Sequence, residues 1–302
     1  LDELTSAGIL LPELRKSYTE CKRLNSQHGK TYYLATQLLP REKRPHVHAL
    51  YGFARYADEI VDDLASTLTH QEKIDLLDSW SLEILRDIAR GASNDPIGAA
   101  LVHTVNTFKI PIDYFKAFID SMKMDLTKSR YENFDELSEY VYGSAAVIGL
   151  QMVHVLGALP GEEERALESA SKLGIAFQLA NFIRDVGEDL ERGRIYLPQD
   201  ELAEAGVTEL MLRDRKVTPE IITALSAQIK RVRALQSEAE SGIALLSPPA
   251  RPCIEAASEL YCGIVDEVEA INYEIFTKRA KTSMVRRLGV ALPAWLRAIS
   301  LR

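Results

Sequence analysis

The sequence predicts an all-α fold, a helical bundle around a central apolar cavity, and three observations carry that expectation. Apolar residues recur at helical spacing almost throughout the 302 residues, runs of strict apolar and polar alternation are hard to find, and turn-forming residues punctuate the periodic segments. The expected breaks fall at Pro40 to Pro45, Gly91 to Pro96, Pro111, Pro160-Gly161, Gly193 to Pro198 and Pro248-Pro249. Two helix starts carry capping chemistry, because Asp95-Pro96 and Thr218-Pro219 each place an oxygen-bearing side chain before a first-turn proline. No long linker and no repeat of fixed period divides the chain, so residues 1–302 are read as one domain.

Composition narrows the function. A 46% hydrophobic content supplies a sizeable core, and 44 acidic against 36 basic residues give a net charge of −8. With no basic block interleaved with aromatics, nucleic acid is excluded as the expected partner. Cys21, Cys253 and Cys262 are scattered and lack CxxC spacing, as in a chain kept reduced, so the expected setting is cytoplasmic. A leader with a basic and then apolar layout is not seen, and export is not expected. Tyr140 to Gly161 contains no charged residue and approaches membrane-spanning length. Its Tyr140, Tyr142, Ser144, Gln151 and His154 favour a buried helix.

Two segments carry the chemistry. In Leu50 to Asp63, LYGFARYADEIVDD, the apolar Leu50, Phe53, Ala54, Ala57, Ile60 and Val61 gather on one helical arc. Beside them, within roughly 60° on the helical wheel, stand Tyr51, Arg55, Asp58 and Asp62, whereas Glu59 and Asp63 point farther round. Leu173 to Pro198 repeats the arrangement: Ile175, Leu179, Phe182, Ile183, Val186 and Leu190 form the apolar arc, with Gln178, Asn181, Asp185 and Asp189 along its edge. Like charges one turn apart beside an apolar surface need compensation. A hard divalent ion, held by one or two carboxylates together with substrate phosphates, supplies it. A single DxxxD is more often a solvated helix face, but two such pairs, each flanking an apolar arc, point to a diphosphate gripped through metal.

Gly174 through Pro198 resembles the long second signature of the squalene/phytoene synthase family, with Gln178, Asn181, Arg184, Asp185, Asp189, Arg194, Tyr196 and Pro198 in place. YVYGSAAVIG from Tyr140 resembles its other signature, and HGKTYYLATQLLP with ALYGFARYADEIVDD resembles its opening region. NYEIF around Tyr273 extends the likeness over nearly the whole chain. The resemblance implies the isoprenoid synthase type of fold and catalytic roles for Asp58, Asp62, Asp185, Asp189 and Arg55. It implies metal binding by Asp58, Asp62, Asn181, Asp185 and Asp189, and substrate contacts from Thr31, Tyr140, Gln178, Asn181, Tyr273 and Arg287. Two departures stand out: Gly29 replaces one hydroxyl of a Ser-x-Ser pair, leaving Thr31, and Glu59 stands where Asp is frequent.

The implied reaction is head-to-head 1-1′ condensation of two geranylgeranyl diphosphates through prephytoene diphosphate to phytoene, in carotenoid biosynthesis. The implied cofactor is Mg2+, with Mn2+ as a substitute, and NADPH is not expected. The alternatives are a squalene, dehydrosqualene or presqualene diphosphate synthase using farnesyl diphosphate, and a noncatalytic helical relative serving assembly or binding. The intact carboxylate pairs argue against the noncatalytic reading, and the Gln178 to Pro198 segment argues against a one-substrate terpene cyclase. Ala145 to Leu159 is expected to wall an apolar tunnel, with Tyr33, Phe53, Phe177 or Phe182 offering aromatic faces to a cation. His46 and His48 do not share a helix face, so zinc is not expected.

The C-terminal segment KTSMVRRLGVALPAWLRAISLR combines Lys281, Arg286, Arg287, Arg297 and Arg302 with Leu288, Val290, Leu292, Trp295, Leu296 and Leu301. It is read as a peripheral contact at the inner face of a membrane, with Pro293 interrupting any single long helix. No signal for oligomeric state is present. The helical phase makes one comparison decisive: Asp62→Asn lowers turnover far more than Asp63→Asn, and steady-state rates showing equal losses would overturn the assigned phase.

Overall fold

A computed structural model describes residues 2–62 and 67–301; Asp63 lies outside them. The chain opens with α1 (Glu3–Ser6), α2 (Pro12–His28), α3 (Lys30–Thr36) and α4 (Arg44–Asp62). Next come α5 (His70–Arg90), α6 (Gly98–Phe108), α7 (Ile112–Thr127) and α8 (Phe134–Val141). A π-helical turn (Tyr142–Ala146) leads into α9 (Val147–Leu156) and the 29-residue α10 (Glu163–Glu191). After α11 (Gln199–Glu204) and α12 (Glu209–Arg213), α13 (Pro219–Ile243) returns along α10, and α14 (Arg251–Cys262), α15 (Ile264–Ala270) and α16 (Met284–Ser300) complete the bundle. The described residues contain no strand, only an isolated bridge between Ala158 and Leu246.

Every expected break separates two helices. Thr218 caps α13 by accepting the Ile221 N–H, as its place before Pro219 predicts. Asp95 behaves differently. Its carboxylate accepts the N–H groups of Ile97 and Gly98, so it stabilises a turn, and α6 begins only at Gly98. The uncharged run from Tyr140 is divided by the π turn, and its helical part ends at Leu156. Among the described residues no helix is long and apolar enough to cross a membrane. The expected interruption at Pro293 does not occur, because α16 runs through it. The carbonyl deprived of a partner there belongs to the exposed Gly289, where water can take the missing bond.

Two apolar clusters form the interior. One gathers Phe53, Leu77, Leu101, Phe115 and Phe118 around α4 to α7, and the other gathers Tyr140, Leu179, Phe182, Ile183 and Ile229 around α8, α10 and α13. Each apolar arc read from the sequence faces its cluster, and the polar stripes therefore meet where the clusters adjoin. Close approach tightens the second half: a Cβ on Gly174 would lie 2.6 Å from the Ala145 carbonyl oxygen, so only glycine lets α10 approach the π turn so closely.

Away from that seam, Tyr18 Oη lies 3.1 Å from His46 Nδ1, 2.8 Å from His103 Nδ1 and 2.8 Å from Thr104 Oγ1. Burial, with His103 and Lys43 nearby, pushes the His46 imidazole down to about 3. His48, within reach of Glu3, Lys22 and Arg44, is pushed down by burial to about 4. Each histidine is neutral when folded and gains a proton on unfolding, so its contribution is complete above the unfolded value and is lost as pH falls. For His46 this amounts to about 2 kcal/mol at pH 5. Buried carboxylates with raised values act in the opposite sense, so the difference between proteins is the informative quantity. Between about pH 7 and pH 5, urea denaturation is expected to show wild type losing more stability than His46→Gln does; equal losses would refute the assignment.

Candidate active site

The seam opens into a cleft of about 340 Å³ whose walls come from α4, α7, α8, α10 and the loop after α10. From α4 it receives Tyr51, Arg55, Asp58 and Asp62, and from α10 Gln178, Asn181, Asp185 and Asp189. These are the two polar stripes derived from helical phase, now facing one space. Tyr140 joins them from α8. Glu59 is absent from the wall and pairs with Arg55 at 3.1 Å, consistent with its direction on the wheel.

Electrostatics in the cleft are set by burial and by like charges one turn apart. Burial and Asp62 raise the Asp58 carboxyl above the usual range, against the pull of Arg55, which donates to it at 2.7 Å. Burial and Asp185 push Asp189 up to about 7. Asp62 accepts from Arg192 at 2.9 Å and from Arg194 at 2.8 Å, so the loop after α10 is tied to the end of α4. Asp185 accepts from Arg184 and forms an ion pair with Arg279 at 3.1 Å. Hard oxygen donors crowded beside their own kind, with the Asp58 and Asp189 carboxyls raised, suit a divalent cation, which favours the charged forms. Among the described residues no three His, Cys, Asp or Glu side chains converge on one point, so ion binding here would draw further oxygens from substrate or water, as magnesium commonly does.

Sequence reasoning missed Asp125. This α7 residue accepts from the hydroxyls of Tyr140 and Tyr196 at 2.7 Å each, while its backbone carbonyl accepts from Arg194 at 3.1 Å. Burial raises its carboxyl to about 6, with Arg194 and the two hydroxyls opposing. The available signal was a lone acid among Met122, Met124 and Leu126. Above it Tyr196 stacks on Phe182 with centroids 4.2 Å apart. Arg279 was also missed, although it follows the NYEIF segment by only a few residues.

Three expected substrate contacts are not brought to the cleft wall: Thr31, Tyr273 and Arg287. Tyr273 sits in the left-handed region at φ 59° and shares a 3.0 Å hydrogen bond with Ser226 on α13. Its segment reaches the site through Arg279 instead. Arg287 lies near Tyr261, whose hydroxyl burial pushes up to about 12 against the pull of Arg184 and Arg287. The departure at Gly29 has a steric reason, since a Cβ there would lie 2.6 Å from the Tyr51 ring. Of the four aromatics proposed to face a cation, Phe182 lines the cleft and Phe177 the adjoining cavity, whereas Phe53 is core and Tyr33 stacks on His48.

That adjoining cavity, of about 250 Å³, shares Ser144, Gln178 and Asn181 with the cleft. It follows one face of α10 through Phe177, Gly174, Leu173, Ala170 and Ser169 to Ala166, and fifteen residues of helix from Asn181 make it about 22 Å long. Ala145, Ile148, Met152 and Leu156 form the opposite wall, as the uncharged run predicts.

The family model for squalene/phytoene synthase matches residues 25–286. The chain belongs to the squalene/phytoene synthase family. A chloroplastic phytoene synthase of Narcissus pseudonarcissus is 44% identical over 284 residues, covering 93% of this chain and 66% of that protein. Chloroplastic phytoene synthase 2 of Solanum lycopersicum is 40% identical over 290 residues, covering 95% and 92% respectively. A ligand-bound crystal structure of a dehydrosqualene synthase superposes with a TM-score of 0.86 at 25% identity, over 99% of this chain and 100% of that one. Squalene synthase HpnC from Alicyclobacillus acidocaldarius gives 0.79 at 26% identity, over 88% and 98%. The match to these solved structures agrees with the isoprenoid synthase fold expected from the resemblance.

The stripes make a direct test. Asp58→Asn and Asp185→Asn each remove a charge while nearly preserving shape, and turnover is expected to fall by orders of magnitude with helical circular dichroism unchanged. Normal divalent-ion-dependent turnover in either variant would remove that aspartate from the site.

Proposed function

We propose that the chain is a phytoene synthase, a prenyltransferase that joins two geranylgeranyl diphosphates head to head. The observation that carries this reading is the continuity between a carboxylate-lined cleft and an apolar tunnel of about 22 Å. An extended C20 prenyl chain, sixteen carbons along its backbone, measures about 19 Å with bonds of about 1.5 Å, and a C15 chain about 14 Å. The tunnel holds the longer chain and leaves the shorter one several ångströms from the end. Relatives named phytoene synthase at 40–44% identity support the same choice.

Asp58, Asp62, Asp185 and Asp189 would hold magnesium, or manganese in its place, with Asn181 as a neutral ligand. Bound there, the metal would supply positive charge that neutralises the leaving diphosphate. Arg55 and Tyr140 face the same space, and Arg55 adds fixed positive charge where the diphosphate gains negative charge. Gln178 and Asn181, at the mouth shared by both cavities, orient the diphosphate so that the C1–O bond breaks at the cleft while the chain stays in the tunnel. The C2–C3 double bond of the second substrate attacks C1 of the allylic cation, and loss of a proton from that C1 closes the ring of a cyclopropylcarbinyl diphosphate, whose own C–O bond then ionises and whose cation rearranges to the 1-1′ skeleton. Water would capture either cation, and the apolar tunnel wall excludes it. Phe177, stacked on Tyr261 at 4.9 Å, offers a π face toward positive charge.

The reading places the enzyme in the cytoplasm, in peripheral contact with a membrane. A terminal proton loss completes phytoene, so no nicotinamide is required, whereas squalene formation needs a hydride. Incubation with Mg2+ and C15 or C20 diphosphate, with and without NADPH, is expected to yield phytoene from the C20 substrate alone. Exclusive use of the C15 substrate, or a product that forms only with NADPH, would move the enzyme to the squalene or dehydrosqualene branch.

A further inference from the structure

Helix α16 is packed inside out. Its buried residues are Val290, Ala294 and Ala298, whereas Val285, Leu288, Leu292, Trp295, Leu296 and Ile299 are exposed, Val285 by 81% and Trp295 by 48%. At about 100° per residue these six side chains fall within an arc of roughly 100°, opposite the alanines. The stripe follows the helix for about 20 Å. A terminal helix free to roll would bury its large side chains; this one is held in the other orientation. Arg286 bonds Asp266 at 2.9 Å and Arg297 pairs with Glu255 at 2.5 Å, pinning the small face against α14 and α15.

We propose that this stripe is a docking face for an anionic lipid surface, with α16 lying in the interfacial plane. Charge selects lipid over a second copy of the chain. From Ile275 to Arg302 there are seven Lys and Arg and no Asp or Glu, in a molecule of net charge −8. Lys278 and Lys281, both exposed, form no ion pair among the described residues, leaving positive charge free to meet lipid phosphate. Another copy of this acidic chain, approaching with the same basic segment in an isologous contact, would meet like charge with like. A tryptophan beside leucines suits the boundary between headgroups and acyl chains.

The position of the stripe gives it a use, and this part rests on the proposed function. α16 packs on α14, whose Cys253, Ile254, Ala257 and Tyr261 wall the tunnel. One layer of helix therefore separates the tunnel from the docking face. A C40 hydrocarbon product, insoluble in water, would leave into lipid on this side.

Cosedimentation of the full chain with phosphatidylglycerol/phosphatidylcholine vesicles at low salt tests the surface without reference to catalysis. Leu292→Ser/Trp295→Ser, both exposed and checked by thermal melting for intact folding, is expected to lower the partition coefficient at least tenfold while detergent-supported turnover is unchanged. Lys278→Gln/Lys281→Gln is expected to reduce the preference for anionic over pure phosphatidylcholine vesicles. Unchanged vesicle binding in the apolar double variant overturns the proposal. So does light scattering that shows a dimer converted to monomer by that variant with vesicle binding unaffected, which would assign the stripe to a contact between copies. If C20 diphosphate proves not to be the substrate while vesicle binding behaves as stated, the docking face stands and only the product-release role falls.

Discussion

Four aspartates held against an apolar interior are the constraint on which the rest of this molecule depends. Carboxylates one turn apart on α4 and again on α10 repel each other and lose hydration at the seam between the two core clusters, and the raised values of Asp58 and Asp189 record both effects. Arginine supplies the compensation within the chain. Arg55 serves Asp58, Arg192 and Arg194 serve Asp62, and Arg184 and Arg279 serve Asp185. Several of these ties also fix the spacing of the walls, because Arg192 and Arg194 join the loop after α10 to the end of α4.

Long helices make that spacing rigid. α10 carries three surfaces at once: its apolar arc enters the core, its polar edge faces the cleft, and the face from Asn181 to Ala166 becomes the tunnel. Packing density converts this into mechanical support. Gly174 lets the π turn press against α10, and Asp125 with Tyr140 and Tyr196 forms a hydrogen-bonded platform beneath the cleft. A charged group of this kind, with its partners in place, holds geometry that apolar contacts alone leave adjustable.

The same economy of surface extends to chemistry and setting. One end of the cavity system is charged and suited to a diphosphate, the other is apolar and suited to a prenyl chain, and the boundary is only three shared side chains wide: Ser144, Gln178 and Asn181. Ionisation occurs best where charge is compensated, and the cation survives best where water is absent. Placing the boundary at the reacting carbon satisfies both needs. On the outer side of the tunnel wall, α16 turns its large apolar residues away from the bundle that its alanines contact.

Local periodicity made the all-α class, the helix breaks, the phase of both aspartate stripes and the uncharged tunnel wall legible in the sequence, because each depends on residues within a few turns of one another. Expectations that needed distant segments fared differently. Asp125 enters the cleft and Arg279 pairs with Asp185 on its wall only because α7 and the segment after α15 pack there, while Thr31, Tyr273 and Arg287 stay off that wall. Pro293 reads locally as a helix break, yet the exposed Gly289 carbonyl can be hydrated and α16 continues. The outward stripe on α16 was equally undecided by sequence, since an amphipathic helix has two faces and its pattern does not say which one the bundle takes. That choice belongs to the tertiary structure, where Arg286 and Arg297 find carboxylates on α14 and α15 and the small residues allow close packing between them.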